Sequence, residues 1–562
     1  MNERALLRLR RSTVSIVAGV ALLGASCRAP QSTDAASAPT TPSAPTERDA
    51  GPPRPGGALT VGLSAETDSF NPYSGSWSVP SYDVANAVFE PLAAVDQSGI
   101  AHPYLAESII PNGDFTVWTI TVRPNVTFQN GEKLDATAVK KNLDTARTTG
   151  LSAQNFTLVK SVDVASDLAV TVTLSSPWAT FPASLAMQSG YMAAPAMLDD
   201  PAGANATPIG TGPFMVVDRQ RDAFIKTKRN PNYWRTDANG FRLPYLDAID
   251  FQVIPDTSSR TSSLAAGNVD AFDIETPDAL REQKEAANQR NVQLLTNEGA
   301  ETDETVLALN TTREPFNDVV ARQALAYAID QDRLSATAYR GTFPGAWGMF
   351  DAGSPYYISK QDAGYPQVDG AKARQLAQQY EQNHGKPLEF STILPPDPQY
   401  LAIAQTLQSE LAELDIKVDL QTMDQTQLIR TVVATGDYQS AGFVLRSAPS
   451  PDQAYVFLAT KANPNGLSLN FTRFDDQRLT DAMNDFRAAG DPQTRVADMK
   501  TVQQELATNL QMIFLVHSRA GFAYQNGVHG VQATTYPGGD KAAVAPYPST
   551  PFYTFAWRDQ SG

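Results

Sequence analysis

Nucleophilic or metal chemistry in this chain would have to draw on four histidines, His102, His384, His517 and His529, and one cysteine, Cys27. The histidines are scattered with no metal-ligand spacing, and a lone Cys forms no internal disulfide. No G-x-S-x-G, H-E-x-x-H or G-x-x-x-x-G-K occurs, so a serine hydrolase, a zincin and a P-loop all lack their motifs. Gly210-Thr211-Gly212 has the outline of a phosphate cradle, but Pro213 follows at once and Met215 stands where a third Gly is needed. Recognition chemistry is better served. Arg446 suits bidentate contact with a carboxylate or phosphate, and Trp77 and Trp347 suit flat apolar groups. The plain structural alternatives are an ion pair at a rim for Arg446 and core packing for the tryptophans, and Asp452 in S-P-D reads as a helix cap. No enzyme, cofactor or metal is expected.

The elements that position such residues need a large folded body. At 562 residues the chain suits three or so units at roughly 100 to 200 residues each, and 42% hydrophobic and 9% aromatic content can fill their interiors. The net charge is −16. Residues 1 to 26 carry four Arg against one Glu, a net +3, so their removal leaves −19. An acidic surface argues against nucleic acid and against an anionic membrane surface as partners.

Arg4, Arg8, Arg10 and Arg11 precede the apolar run Val14 to Ala25, and Gly24-Ala25-Ser26-Cys27 closes it. A basic head, a short apolar run and small residues before a cut describe an export signal, too short for a stable membrane span. The cut resembles a bacterial lipobox in which Cys27 becomes the lipidated N-terminal residue. It departs from that pattern in having Gly24 three places before the Cys, with Leu23 one place earlier. An ordinary secreted protein with an incidental Cys is the alternative. Residues 28 to 57, rich in Ala, Pro, Ser and Thr, cannot bury enough surface to offset their ordering entropy and read as a disordered leash.

In the folded part, Trp118, Ile120 and Val122 alternate with Val117, Thr119 and Thr121, the period of a strand with two different faces. Turn chemistry at Pro124-Asn125 and Asn130-Gly131 brackets a second short strand, Val126 to Phe128, and Asp135 caps a helix carrying Ala138, Val139 and Leu143. Leu59, Val61 and Leu63 form the first strand, and Tyr82 to Phe89 and a segment around Leu264 read as helices. Asn317 or Asp318 caps a helix with Ala321, Ala324 and Leu325; Asp369 caps one with Ala373, Leu376 and Tyr380; Asp475 caps one with Leu479, Met483 and Phe486. Ala404, Leu407 and Leu411 stripe a helix that feeds the alternating run Ile416, Val418, Leu420, the grammar of a mixed sheet.

Several phrases share one family's wording: W-T-I-T-V-R-P-N-V-T-F-Q-N-G from Trp118, F-E-P-L from Phe89, H-P-Y-L-A-E-S from His102, P-I-G-T-G-P-F from Pro208, N-P-N-Y-W from Asn230, L-P-Y-L-D from Leu243, A-G-N-V-D-A-F-D-I from Ala266 and P-F-N-D-V-V-A-R-Q-A-L-A-Y-A-I-D from Pro315. From Gly57 to Phe522 the chain resembles the family 5 extracytoplasmic solute-binding proteins, the peptide-type receptors of ABC importers. The resemblance implies an α/β, two-lobe periplasmic-binding-protein fold (type II, cluster C) with an extra subdomain inserted in the first lobe. Lobe 1 is then 58–95 plus 205–305 plus 515–562, the inserted subdomain 96–204 and lobe 2 306–514, with hinge crossings near 305 and 515. Residues 538–562 match nothing in that pattern. The implied partners are permease subunits, a small-molecule or oligopeptide ligand, and a membrane reached through lipid at Cys27. A monomer is expected.

In that family the loop after the first strand meets ligand backbone, here Asp68, Ser69, Phe70 and Asn71; plain turn chemistry is the alternative. An extended peptide pairs with a short strand, here Ala441, Gly442, Phe443, Val444, Leu445 and Arg446. At about 3.3 Å per residue, a tri- to pentapeptide fills a slot of roughly 10 to 17 Å. Each main-chain bond contributes about 0.5 to 1.5 kcal/mol whatever the side chains are, which gives broad specificity. The family carries a Gly-Trp pair and then a carboxylate for the peptide's α-ammonium; here the pair is Gly442-Phe443 and Arg446 stands at the carboxylate's place. The free-amine anchor is therefore expected to be absent, leaving longer, blocked or non-peptidic solutes, with Asp452 as a displaced substitute. Trp77 and Trp347 would line side-chain pockets. An envelope lipoprotein with a sensing or assembly role is the competing reading, because fold does not fix function.

Overall fold

The computed structural model describes residues 51–67, 69–75, 77–96, 99–150, 152–200, 203, 207–296, 303–396, 398–445, 450–459, 468–518, 521–532, 534–542 and 552–559. The expected export signal, Cys27 and the leash up to residue 50 lie outside them. The alternating run Leu59, Val61, Leu63 is the strand Ala58–Leu63, with all three side chains buried. It lies at the centre of a seven-stranded sheet, parallel to Ala248–Val253 on one side and to Ala271–Ile274 on the other. Antiparallel strands extend both edges: Phe224–Arg229 and Phe214–Gln220 on one, Gly521–Gln525 and Val292–Thr296 on the other. A five-stranded sheet holds Asp303–Leu309 between Met512–Ser518 and Ser440–Leu445, then Glu389–Leu394 and Lys417–Thr422. The chain thus passes twice between these sheets, once between residues 296 and 303 and once between 518 and 521.

The third sheet has four strands and contains Val117–Val122, whose Trp118, Ile120 and Val122 face the core as their alternation requires. The helix Ala136–Ala146 packs on it, its first turn closed by the Asp135 carboxylate accepting from the Ala138 amide at 2.9 Å. Two local expectations are corrected. Val126 to Phe128 is no strand: its one ladder contact is an isolated bridge, Thr127 to Lys133, because turns on both sides leave no length for a second pair. The helix Gln477–Ala488 is capped by Asp476, not Asp475, since the Asp476 carboxylate reaches the Leu479 amide at 3.0 Å. Asp318 and Asp369 cap Val319–Ala328 and Gly370–His384.

The phrases that looked alike in sequence meet in space. The Glu90 carboxylate, buried, accepts from the Tyr233 hydroxyl (2.6 Å), the Trp234 indole (2.9 Å), the Thr211 hydroxyl (2.7 Å) and the Tyr104 hydroxyl (3.3 Å). Burial pushes its pKa up, and the bonds from Tyr233, Trp234 and Thr211 pull against that rise. A second buried carboxyl cluster joins the helix Val79–Val88 to the strand Ala271–Ile274. Asp83 and Asp273 are buried neighbours, and the Tyr553 hydroxyl donates to Asp83 at 3.2 Å. Burial raises both pKa values, that of Asp83 to about 6, and the neighbouring Asp83 charge lifts Asp273 further. Two neighbouring buried carboxyls resist ionising together, because each charge disfavours the other.

Candidate functional site

A cavity of about 200 Å³ lies between two walls drawn from distant parts of the chain. One wall comes from the first half of the chain, with Tyr73, Trp77, Tyr82, Trp178 and Gln188. The other comes from the chain after the strand Ser440–Leu445, with Asp452, Gln453, Phe457 and Arg487. The aromatic wall is rigid: the Trp77 ring meets Tyr82 edge-on at 5.6 Å and Tyr191 at 5.4 Å, and its indole donates to the Ser69 carbonyl at 2.9 Å.

The two walls are joined by one ion pair and its satellites. Nε of Arg487 donates to Oδ1 of Asp452 at 2.8 Å, with both side chains all but excluded from water. The same oxygen accepts from the Trp178 indole at 3.0 Å and the Thr180 hydroxyl at 2.7 Å, two groups contributed by the opposite wall. The guanidinium lies 4.4 Å from the Trp178 ring centre and 3.5 Å from that of Tyr455, between two negative ring faces. A main-chain bond, Ala179 amide to Arg487 carbonyl at 2.5 Å, runs beside it. Planar Arg supplies these contacts together; the ammonium of Lys would not.

Of the residues expected at a ligand, Trp77 and Asp452 stand at this cavity. Asp452 is committed to Arg487, Trp178 and Thr180, which corrects its expected role as a free ammonium anchor. Ser69, Phe70 and Asn71 form a buried turn: the Ser69 hydroxyl accepts from the Asn71 amide, Asn71 Oδ1 accepts from the Tyr73 amide at 2.9 Å, and Phe70 packs under Arg219. That is the turn alternative, and none of the three is among the residues lining the cavity. Trp347 lines a separate small hollow with Tyr365 and Gln503. Gly442 borders an apolar hollow under the helix Pro398–Ala412. The backbone of Gly442, Phe443, Val444 and Leu445 pairs with Leu307, Val306, Thr305 and Glu304. On the other side, Glu389–Leu394 registers only with Ser440 and Ala441, so the strand runs on past that neighbour. Asp68 and Arg446 lie outside the described residues.

Tyr73, Tyr82, Trp178, Gln188, Gln453 and Arg487 escaped the linear reading. Trp178 sits in a phrase, P-W-A-T-F, whose Pro and aromatics are a signal of ordered packing, but Arg487 occupies an ordinary helix face beside Phe486. Nothing along the chain pairs them.

The family model described as bacterial extracellular solute-binding proteins, family 5 middle, matches residues 101–466. The glutathione-binding protein GsiB of Salmonella paratyphi A is 28% identical over 390 residues, covering 68% of this chain and 72% of its own. The PBP AgaA from A. tumefacien R10, solved with agropinic acid, has a TM-score of 0.77 at 23% identity and covers 90% of this chain and 99% of that one. The oligopeptide-binding protein AppA of Bacillus subtilis, solved with a nonapeptide, has a TM-score of 0.74 at 20% identity over 91% and 100% of the two chains. Both share the two-lobe type II fold of cluster C. No helix among the described residues is long and apolar enough to cross a membrane. The chain belongs to family 5 of the bacterial extracellular solute-binding proteins: it is an extracytoplasmic substrate-binding component that works with ABC permease subunits, and not an enzyme.

Proposed function

We propose that this protein captures an oligopeptide in the cavity between its lobes and delivers it to the permease of an ABC importer. The observation that carries this reading is the cavity itself, walled by Trp77 and Tyr82 on one side and by Gln453 and Phe457 on the other. A solute touching both walls favours the shut form by the difference of its contacts in the two states, which is how a binding protein couples capture to closure. The nonapeptide held by AppA and the glutathione named for GsiB support a peptide-like cargo. The expected boundaries at 305 and 515 fall inside the strands Asp303–Leu309 and Met512–Ser518 of the five-stranded sheet, so the first lobe would take 58–95, 205–296 and 521–562, its inserted subdomain 96–204, and the second lobe 303–518. Hinge motion would centre on the crossings at 296–303 and 518–521. Lipid at Cys27 would hold the protein at the membrane, the leash leaving it free to reach the permease.

Native mass spectrometry of the purified protein tests the reading by weighing whatever solute it carries, followed by a thermal-shift screen of peptides. A peptide at 100 times its Kd should add about 2.7 kcal/mol to apparent stability. A retained solute with no peptide bond, and no shift with any peptide, would overturn the cargo while leaving the family membership untouched.

A further inference from the structure

We infer that the cavity takes a solute, or the part of a solute, that carries no charge of its own, and that the side-chain amides of Asn155 and Gln453 set its hydrogen-bonding pattern. This rests on the cavity being the solute site and adds the chemistry it selects. Among the described lining residues the formal charges are those of Asp452 and Arg487. Each is already answered by the other: Asp452 Oδ1 receives Nε of Arg487 at 2.8 Å, and Oδ2 lies 3.3 Å from Nη2. An incoming ammonium that took Asp452 would strip a buried guanidinium of its counter-charge, and an incoming carboxylate that took Arg487 would do the same to Asp452. Either exchange leaves one ion unpaired in a dry site, the costliest state a buried pair can reach.

The uncharged polar groups of the lining are mostly used up as well. The Tyr73 hydroxyl is bonded to Asn142 and to the Tyr191 carbonyl. The Gln188 amide donates to the Pro72 and Gly75 carbonyls and accepts from the Trp77 amide. Asn155 and Gln453 differ: both line the cavity, one from each wall, and neither side chain has a partner among the described residues. An amide offers one donor face and one acceptor, the complement of a peptide group or of a pair of hydroxyls. With Trp77, Tyr82 and Phe457 as apolar surface, the lining fits a neutral peptide segment whose charged ends are capped, cyclised or outside the cavity. The free α-ammonium of a short peptide has no place in it.

Isothermal titration calorimetry on the full mature protein separates these cases, using the doubly capped tripeptide N-acetyl-Ala-Phe-Ala-amide, its free-ended form Ala-Phe-Ala, and maltotriose as a neutral non-peptide probe. The capped tripeptide should bind about tenfold tighter than the free-ended one. Asn155→Ala and Gln453→Ala should each weaken it about fivefold, the loss of one or two hydrogen bonds, with unchanged thermal midpoints as proof of intact folding. Maltotriose bound in place of either peptide, with the same dependence on Asn155 and Gln453, would uphold the uncharged-solute inference and sink the peptide cargo. Equal or tighter binding of the free-ended peptide, binding that depends on Arg446 instead of the two amides, or no binding by any of the three probes would overturn it.

Discussion

Arg487 is the residue on which the two walls of the cavity depend. Its replacement by Ala removes the counter-charge of a buried carboxylate and should cost about 3–5 kcal/mol, read as a lowered urea midpoint. Asp452→Leu combined with Arg487→Met removes both ions and fills the space with apolar atoms, so the double variant should be more stable than Arg487→Ala alone. A double variant no better than that single one would mean the pair is not the charge-balanced unit drawn here. The Asp83 and Asp273 carboxyls give a second, independent expectation. Burial raises both pKa values, that of Asp83 to about 6, above an unfolded value near 3.9. The folded protein therefore binds more protons than the unfolded chain above pH 4, and stability from this pair falls as pH rises through about 6. Asp273→Asn replaces one of the two neighbouring buried carboxyls with a neutral amide, which needs no proton to stay uncharged. Relative to wild type, it should gain stability between pH 4.5 and pH 7.5 in parallel urea titrations. An unchanged difference between the two proteins across that range would show that the pair does not resist ionising together.

At the scale of elements, the shared phrases do structural work and the cavity lies elsewhere. P-I-G-T-G-P-F presses onto the end of the helix Val79–Val88 so closely that a Cβ on Gly210 would stand 2.2 Å from the Val88 carbonyl oxygen, and one on Gly212 2.5 Å from the Val88 carbonyl carbon. Gly210→Ala and Gly212→Ala should each destabilise by about 1–3 kcal/mol through overpacking, visible as lower thermal midpoints with solute affinity unchanged; a neutral effect would mean the helix end can retreat. Thr211, between them, holds Glu90, which explains why F-E-P-L, H-P-Y-L and N-P-N-Y-W travel together. These elements were legible because periodicity, caps and turn residues are local signals: Trp118 to Val122 and Asp135 stand where their pattern puts them. The strand at Val126 and the cap at Asp475 were misread because a two- or three-residue ladder and a choice between adjacent aspartates depend on geometry that sequence does not encode. The cavity was mostly illegible for a different reason. Trp178, Asp452 and Arg487 come from three separate segments, and only the folded chain makes one oxygen of Asp452 the acceptor for all three donors it meets.

For the whole molecule, two passages between the seven-stranded and five-stranded sheets leave the lobes joined by few covalent links, so the contacts across the cavity decide how far it opens. Trp178→Ala removes an indole donor and a ring face from the Arg487 site, and Thr180→Ala removes a second donor. The paired variant should give a larger radius of gyration in small-angle scattering than wild type without solute, and the two should converge once solute is bound; identical curves without solute would show that these contacts do not hold the lobes together. The two-lobe arrangement was foreseeable from the family wording, whereas the contacts across the cavity were not, since they join side chains that meet only in the folded chain. The most direct measurement is a crystal structure of the protein with the solute that native mass spectrometry identifies. Solute density touching Trp77 on one wall and Phe457 on the other is the expected result. Solute bound elsewhere, over a cavity filled by water alone, would contradict the assignment.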